Sequence, residues 1–387
     1  MVKILICREK TRRTMLPNTP TRRKNLLTSW LHETVLPLLL SGFALLVLAT
    51  VATCDPLERI SGPFTHDNLV IYLVHGSAKD GPVPMTLQEA VKAKLVTVLE
   101  TGNVNELAVE NLADKEVFIQ AGDIVTGGRQ DRALTASLVL PPHSGRIPLA
   151  ALCVESGRWS GRPAEDSRTF KAADSLAPPR AAKTIIGIAG LLSRGNPTSS
   201  EPAPTIGAYT AATARSKQQE MWEEARRVQG DLSRNLQAEV VAPESPSSLG
   251  LTLDNQKLKA AQKGFTDDLQ KLGEHDDDVV GYVVAINGHL NSAAVYESNG
   301  LFRKMWPKQL QASVVEALAA GKSDHAASPS SKDVEAFLKA ADAGKPLVQE
   351  LTSYVKQETR DGDQTLLAET QRNNGTWVAR SYLAKTQ

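Results

Sequence analysis

The sequence predicts an α+β protein with an antiparallel β-rich core, a sandwich or partial barrel, carrying covering helices behind an N-terminal signal or anchor segment. Three observations predict this. Between residues 104 and 155, short apolar runs alternate with Gly- and Pro-rich turn signals, the pattern of closely spaced antiparallel strands. Between residues 211 and 272, apolar side chains recur at three- and four-residue steps, the period of helices that bury one face. Ahead of both, the uncharged stretch 35–53 follows a strongly basic terminus.

At 41% hydrophobic and 22% charged residues the chain has enough apolar surface for a core. A net charge of +1 gives no general case for nucleic acid, and no such partner is expected. The first 34 residues hold Lys3, Arg8, Lys10, Arg12, Arg13, Arg22, Arg23 and Lys24 against only Glu9 and Glu33, a basic cytoplasmic region. Residues 35–54 then form a signal peptide, lipoprotein signal or transmembrane anchor, since 19 uncharged residues just span a bilayer. Positive charge on the near side places the body outside the cytoplasm, in the cell envelope, with the membrane as a partner. The segment ends V-A-T-C-D, which resembles a bacterial lipoprotein signal with Cys54 as the lipidated residue, although Thr53 stands where Gly, Ala or Ser is usual. A lipidated Cys54, an uncleaved anchor and cleaved export all stay open, and Met15 is an alternative start. Processing would leave Cys153 as the lone thiol, so no disulfide framework is implied, and its LAALCVE setting reads as a small buried residue.

In order, residues 55–65 read as a polar spacer and 66–385 as one domain. Strands are expected at 68–75 and 95–100, with a helix at 85–94 capped by Thr86. Further strands are expected at 105–111, 116–120, 133–140 and 147–155, divided by turns at 121–123, 127–128 and 141–145. The stretch 160–205 is rich in Ser, Pro and charge and reads as a mobile insert of loops around an apolar patch at 184–192. Trp222, Ala225, Val228, Leu232 and Leu236 mark one long helix, and Leu258, Ala261, Phe265 and Leu269 a second. A hairpin follows at 279–296, turned at Asn287-Gly288. Helices at 301–318, with Pro307 inside, and 334–341 precede three closing strands at 348–358, 366–371 and 377–382.

The densest polar chemistry lies in residues 122–159. Arg129, Gln130 and Arg132 follow the Gly127-Gly128 pair, and Arg158 and Trp159 end an apolar run. The first stretch is not a P-loop: Gly127 follows Gly122 by five residues, but Gly128 and Arg129 stand in place of Lys and Ser/Thr. A glycine turn can still approach an anion. Arginine suits phosphate or carboxylate because its planar fork donates two parallel hydrogen bonds. Trp159 beside an arginine can form a stacking wall. The bland alternative is structural: Arg132 pairs with Asp123 or Glu155, or Glu155 pairs with Arg158 while Trp159 closes the core edge. Metal ligation is not indicated, because the seven histidines are scattered and the acidic run 275–278 lacks calcium-loop spacing. No G-x-S-x-G element marks a serine nucleophile, and no cofactor is indicated.

Three pieces, G-D-I-V-T-G-G-R-Q-D-R at 122–132, C-V-E-S-G-R-W at 153–159 and the stretch 281–310, together resemble the ARG and rhodanese-phosphatase-superfamily-associated protein domain. The resemblance takes in about residues 60–385 and implies no assigned activity; its matching residues are Gln130, Arg132, Glu155, Arg158 and Trp159. Three readings result. The first is a binding module whose Arg129, Gln130, Arg132, Arg158 and Trp159 hold an anionic small molecule, a sugar-phosphate or nucleotide-like compound. The second is a hydrolase with Glu155 or Asp123 as general base. The third is an envelope structural or interaction protein.

Overall fold

The computed structural model describes residues 59–77, 81–163, 165–192, 206–323 and 327–385. The basic region, the signal or anchor segment with Cys54, and the start of the spacer lie outside the described residues. No helix among the described residues is long and apolar enough to cross a membrane.

The chain starts with the antiparallel pair β1 (Arg59–His66) and β2 (Leu69–His75). A short β3 (Met85–Thr86) leads into α1 (Leu87–Lys92), whose cap is Thr86 with Glu89 reaching back to the cap nitrogen. Seven strands follow: β4 (Val96–Glu100), β5 (Glu106–Asn111), β6 (Val117–Ile119), β7 (Asp123–Gly127), β8 (Arg132–Leu134), β9 (Leu138–Leu140) and β10 (Gly145–Cys153). After β11 (Phe170–Leu176) come α2 (Arg180–Leu192), α3 (Ile206–Asn235), α4 (Leu249–Leu253) and α5 (Gln256–Leu269). The hairpin β12 (Val279–Ile286) and β13 (His289–Tyr296) precedes α6 (Asn299–Ala320) and α7 (Ser331–Ala340). Four strands close the chain: β14 (Pro346–Glu350), β15 (Val355–Asp361), β16 (Thr365–Arg372) and β17 (Trp377–Ala384).

The fold is α+β with large antiparallel sheets and covering helices, the class the sequence predicts. Eight strands form one sheet in the order β1-β2-β12-β13-β17-β16-β15-β14. Its strands β2 and β12 read as unbroken apolar runs because both faces are covered. Leu73, Tyr282 and Tyr296 share the main core with α6, while Val70, Tyr72 and Val283 pack with Val334, Phe337 and Leu338 of α7. The β12–β13 turn places Asn287 at φ 51° and Gly288 at φ 78°, both in the left-handed region that a tight two-residue hairpin requires.

A second sheet has the order β11-β7-β8-β10-β5-β4 and positions the site. The long strand β10 serves two partners: residues 145–150 pair with β5, and residues 151–153 with β8. The sheet then comes round on itself, because Leu99 of β4 bridges Thr169 at the entry to β11 and Glu100 N donates to Arg168 O at 2.9 Å. The result is a small partial barrel. Val98, Leu107, Val109, Val125, Leu134, Leu149 and Phe170 face the main core, and Ile124, Ala133, Leu152 and Val154 pack on Met221, Ala225 and Val228 of α3. A three-stranded sheet, β3-β6-β9, lies apart from these two and holds the one parallel pair among the described strands.

Several elements differ from expectation. The spacer 55–65 contains most of β1, an edge strand that alternates weakly and needs hydrogen bonds on one side only. The run 133–140 splits into β8 and β9 in separate sheets, and 348–358 splits into β14 and β15. Apolar content hides the first split, because β8 and β9 are both buried; in the second, the largely exposed β14 pairs antiparallel with β15 itself. The insert 160–205 supplies β11, which closes the barrel, and α2; residues 193–205 lie outside the described residues.

Candidate functional site at the barrel mouth

The turn between β7 and β8 sits at one end of the partial barrel. Gly128 has φ 53° and presses on the ring of Phe170, where a Cβ would come within 2.2 Å of Cζ. Only glycine combines that backbone with that approach. The turn directs Asp131 and Arg132 to different places.

Asp131 enters a buried ionic cluster with Glu155, Arg158 and Arg162. Both acids are fully buried. Arg162 donates to Asp131 from Nη2 at 2.7 Å and Nη1 at 3.1 Å, and Ser248 Oγ donates to Asp131 Oδ2 at 2.6 Å. Arg158 sets its Nε/Nη2 fork on Glu155 at 2.7 and 2.6 Å. Glu155 also accepts from Asp131 N at 3.0 Å and from Ser245 Oγ. Burial alone would raise the Glu155 carboxyl, but the hydrogen bonds from Arg158, Ser245 and the Asp131 amide hold it below the ordinary glutamate range. Every oxygen of both acids has a donor, so the cluster ties four segments together as a mutual neutralisation of charge. The Glu155–Arg158 pair is the structural alternative foreseen from sequence, while Arg132 pairs with neither Asp123 nor Glu155.

Arg132 is different. It is fully buried, yet its Nε and Nη2 make no hydrogen bond among the described residues. Only Nη1 donates, to Gln130 O at 2.7 Å. Glu100 Oε2 lies 3.7 Å from Nη2, beyond hydrogen-bond range, and itself accepts from Arg129 N at 3.2 Å. The same Nε/Nη2 fork is occupied on Arg158 by Glu155 and on Arg372 by Glu116. Trp159 covers the place, its ring centroid 5.4 Å from the Arg132 guanidinium and 5.5 Å from that of Arg129. Trp159 is 41% exposed, so it meets solvent as well as the two guanidinium groups. Gln130 is buried beside them. Cys153, paired with Arg132 across the strands, is buried, and burial pushes its thiol up to about 11. It is a neutral wall, as its apolar sequence context predicts.

Asp123 stands elsewhere. Its Oδ1 meets Lys308 Nζ of α6 at 2.5 Å and its Oδ2 accepts from Gln120 N at 2.9 Å, all of it buried. The acidic turn at 275–278 brings Asp276 and Asp278 near His75, but Arg59 already donates to Asp278 at 3.2 Å and to His75 Nδ1 at 2.8 Å.

A family model described as the ARG and Rhodanese-Phosphatase-superfamily-associated Protein domain matches residues 58–383. The chain belongs to this family. No curated protein and no solved structure was found to match it. In this family member the three stretches that carry the resemblance meet in space. Residues 122–132 join 153–159 through Asp131 and Arg158, 3.6 Å apart, and join 281–310 through Asp123 and Lys308.

Sequence reasoning selected Arg129, Gln130, Arg132, Glu155, Arg158 and Trp159, and these do gather at one end of the barrel. It passed over Glu100, Asp131, Arg162, Ser245 and Ser248. Asp131 lies inside the quoted motif, and its flanking arginines were a usable signal. Ser245 and Ser248 arrive from a helix-breaking segment about 90 and 117 residues away from their partners, with no local mark. On this geometry, the Arg132 fork can accept an oxyanion, Arg129 adds a second positive charge, and Trp159 offers a face for stacking.

Proposed function

We propose that this domain binds an anionic small molecule at the barrel mouth, a sugar-phosphate or nucleotide-like compound. The observation that carries the reading is the fully buried Arg132 whose Nε/Nη2 edge makes no hydrogen bond with the described residues, beside a partly exposed Trp159. Burying a guanidinium with idle donors costs stability, about 1–3 kcal/mol per unmet group, which a purely structural role would not require. In this reading the phosphate or carboxylate takes the Arg132 fork, Trp159 swings to stack on the sugar or base, and Arg129 steadies the charge from the rim. Arg158 serves indirectly, by fixing the turn carbonyls of Gly127 and Gly128 through Nη2 and Nη1 at 3.4 and 3.2 Å. A hydrolase with Glu155 or Asp123 as base draws less support, because the oxygens of both acids are already engaged.

The same proposal places the domain in the cell envelope, on the non-cytoplasmic side. There it is tethered by the 35–54 segment or by lipid on Cys54. The support is the basic-then-apolar N-terminal pattern. Globomycin-sensitive lipid labelling that disappears in Cys54→Ser checks the lipoprotein form; an unlabelled full-length chain in the membrane fraction rejects it.

The binding test is calorimetric titration of the full chain in detergent with inorganic phosphate, ribose 5-phosphate and ADP. Saturable binding of at least one is expected, weakened about 100-fold in Arg132→Met, the equivalent of two charge-assisted hydrogen bonds. Equal affinity in Arg132→Met, or no binding of any of the three at millimolar concentration, rejects the reading.

A further inference from the structure

A second chamber, with mostly apolar walls and a polar part, lies away from the barrel mouth, between the eight-stranded sheet, α6 and the start of α2. Gln120, Lys183, Tyr282, Ser292, Gln309 and Ser381 are among its polar residues, in a cavity of about 60 Å3. By the space one water needs, that is room for about four waters. Beside the lining runs an unbroken chain of hydrogen bonds: Tyr282 OH donates to Gln309 Oε1 at 2.6 Å, and Gln309 Nε2 donates to Tyr296 OH at 2.8 Å. Tyr296 OH in turn donates to Gln120 Oε1 at 3.2 Å, and Gln120 Nε2 donates to Ser381 Oγ at 3.2 Å. This chain holds the amides in one orientation.

Two buried groups, one on the chamber wall and one beside it, stay outside that chain. Ser292 Oγ, on a residue only 4% exposed, has no hydrogen-bond partner among the described residues. Glu316 is equally buried and neither carboxylate oxygen is hydrogen-bonded, although Lys183 Nζ sits 3.1 Å from Oε1. Lys183 lines the cavity and Glu316 lines the broad groove outside it; Thr359, Leu366 and Leu383 are walls of both. The chamber and the groove thus share a wall, beside which Lys183 and Glu316 form an ion pair.

We infer that this chamber is a second ligand site, built for a small uncharged polyol of two or three carbons. Amides and hydroxyls dominate the polar lining, and each can both donate and accept, as a run of C–OH groups requires. Among the described residues Lys183 is the one charged residue in the lining and already faces Glu316 at 3.1 Å, so a charged ligand finds no free counter-charge there. Ala293, Ala294 and Leu366 face the carbon skeleton. The volume excludes a nucleotide.

The test uses the full chain in a sugar-free detergent and glycerol-free buffer, with glycerol and ethylene glycol as probes. Saturation-transfer NMR and calorimetry should show saturable binding of at least one, at millimolar dissociation constants. Ser292→Val removes the idle hydroxyl, and Ala294→Leu fills the chamber; each should weaken binding tenfold or more. Arg132→Met should leave it unchanged, which separates this site from the barrel mouth. No saturable binding by a wild-type chain shown folded by circular dichroism overturns the inference, and so does undiminished binding in both chamber variants.

Discussion

Replacing Arg132 by methionine should barely change stability, whereas the same replacement at Arg162 should damage the fold. The two arginines are 30 residues apart in sequence and both at least nine-tenths buried. Arg162→Met strips Asp131 of donors at 2.7 and 3.1 Å and Glu155 of one at 3.3 Å, leaving negative charge without its partner in the interior. Breaking a buried pair in this way costs about 3–5 kcal/mol. Arg132→Met forfeits one hydrogen bond, to Gln130 O, worth about 1–2 kcal/mol. It also removes two idle buried donors, each costing about 1–3 kcal/mol in the native state. Glu100 keeps its amide donors from Gly102 and Arg129 but loses the buried ion pair with Arg132 Nη2 at 3.7 Å, a further cost of about 3 kcal/mol for so long a pair. The losses, about 4–5 kcal/mol, and the gain, about 2–6 kcal/mol, offset to within about 1 kcal/mol at their midpoints, and a methionine stem still packs under Trp159. For a domain of this size 1 kcal/mol moves the midpoint by roughly 2 °C. Thermal unfolding followed by near-UV circular dichroism should then show Arg132→Met within about 2–3 °C of wild type and Arg162→Met about 6–10 °C lower. A fall in Arg132→Met as large as that in Arg162→Met would refute the reasoning: Arg132 would then be a structural tie, and the anion site would lose its main support.

Three further outcomes are expected. Gly128→Ala combines a Cβ 2.2 Å from the Phe170 ring with a left-handed backbone, so chemical denaturation should show a loss of about 2–4 kcal/mol; a loss under 1 kcal/mol would mean that the turn is not held as described. Burial raises Glu316 to about 7 from an ordinary 4.5, with Lys183 opposing the rise. The raised value favours the protonated native state, so that contribution is complete below about pH 4.5 and is lost as pH climbs through about 7, on the order of 3 kcal/mol in all. Glu316→Gln should flatten the stability curve across that window, and an unchanged pH slope would rule the assignment out. Cys153 should resist iodoacetamide at pH 8 in the native chain and react in urea, read by mass spectrometry of its own peptide, because burial keeps it a thiol. Rapid native labelling would show that the barrel mouth opens far more than its packing suggests.

The α+β class was legible because it rests on local patterns. Helical spacing marked α3 and α5, Asn287-Gly288 marked a tight hairpin, and continuous apolar runs marked β2 and β12, which need cover on both faces. The gathering of arginines, acids and Trp159 was legible too, since the turn and the end of β10 carry them within short stretches. The N-terminal address is a reading of sequence alone, because charge followed by apolar length is all that such a segment displays. What the sequence could not decide is who pairs with whom. Arg132 and Arg158 look alike in a string of letters, yet one is tied to Glu155 and the other keeps an unbonded fork. That difference comes from strand register and barrel closure, which set Arg132 opposite Cys153 and bring Glu100 to 3.7 Å rather than into contact. Asp123 finds Lys308 across 185 residues, and Ser248 finds Asp131 across 117. Such pairings depend on how elements pack, and side-chain spacing along the chain carries no record of it; only the tertiary structure separates the arginine that holds the fold from the arginine free to hold something else.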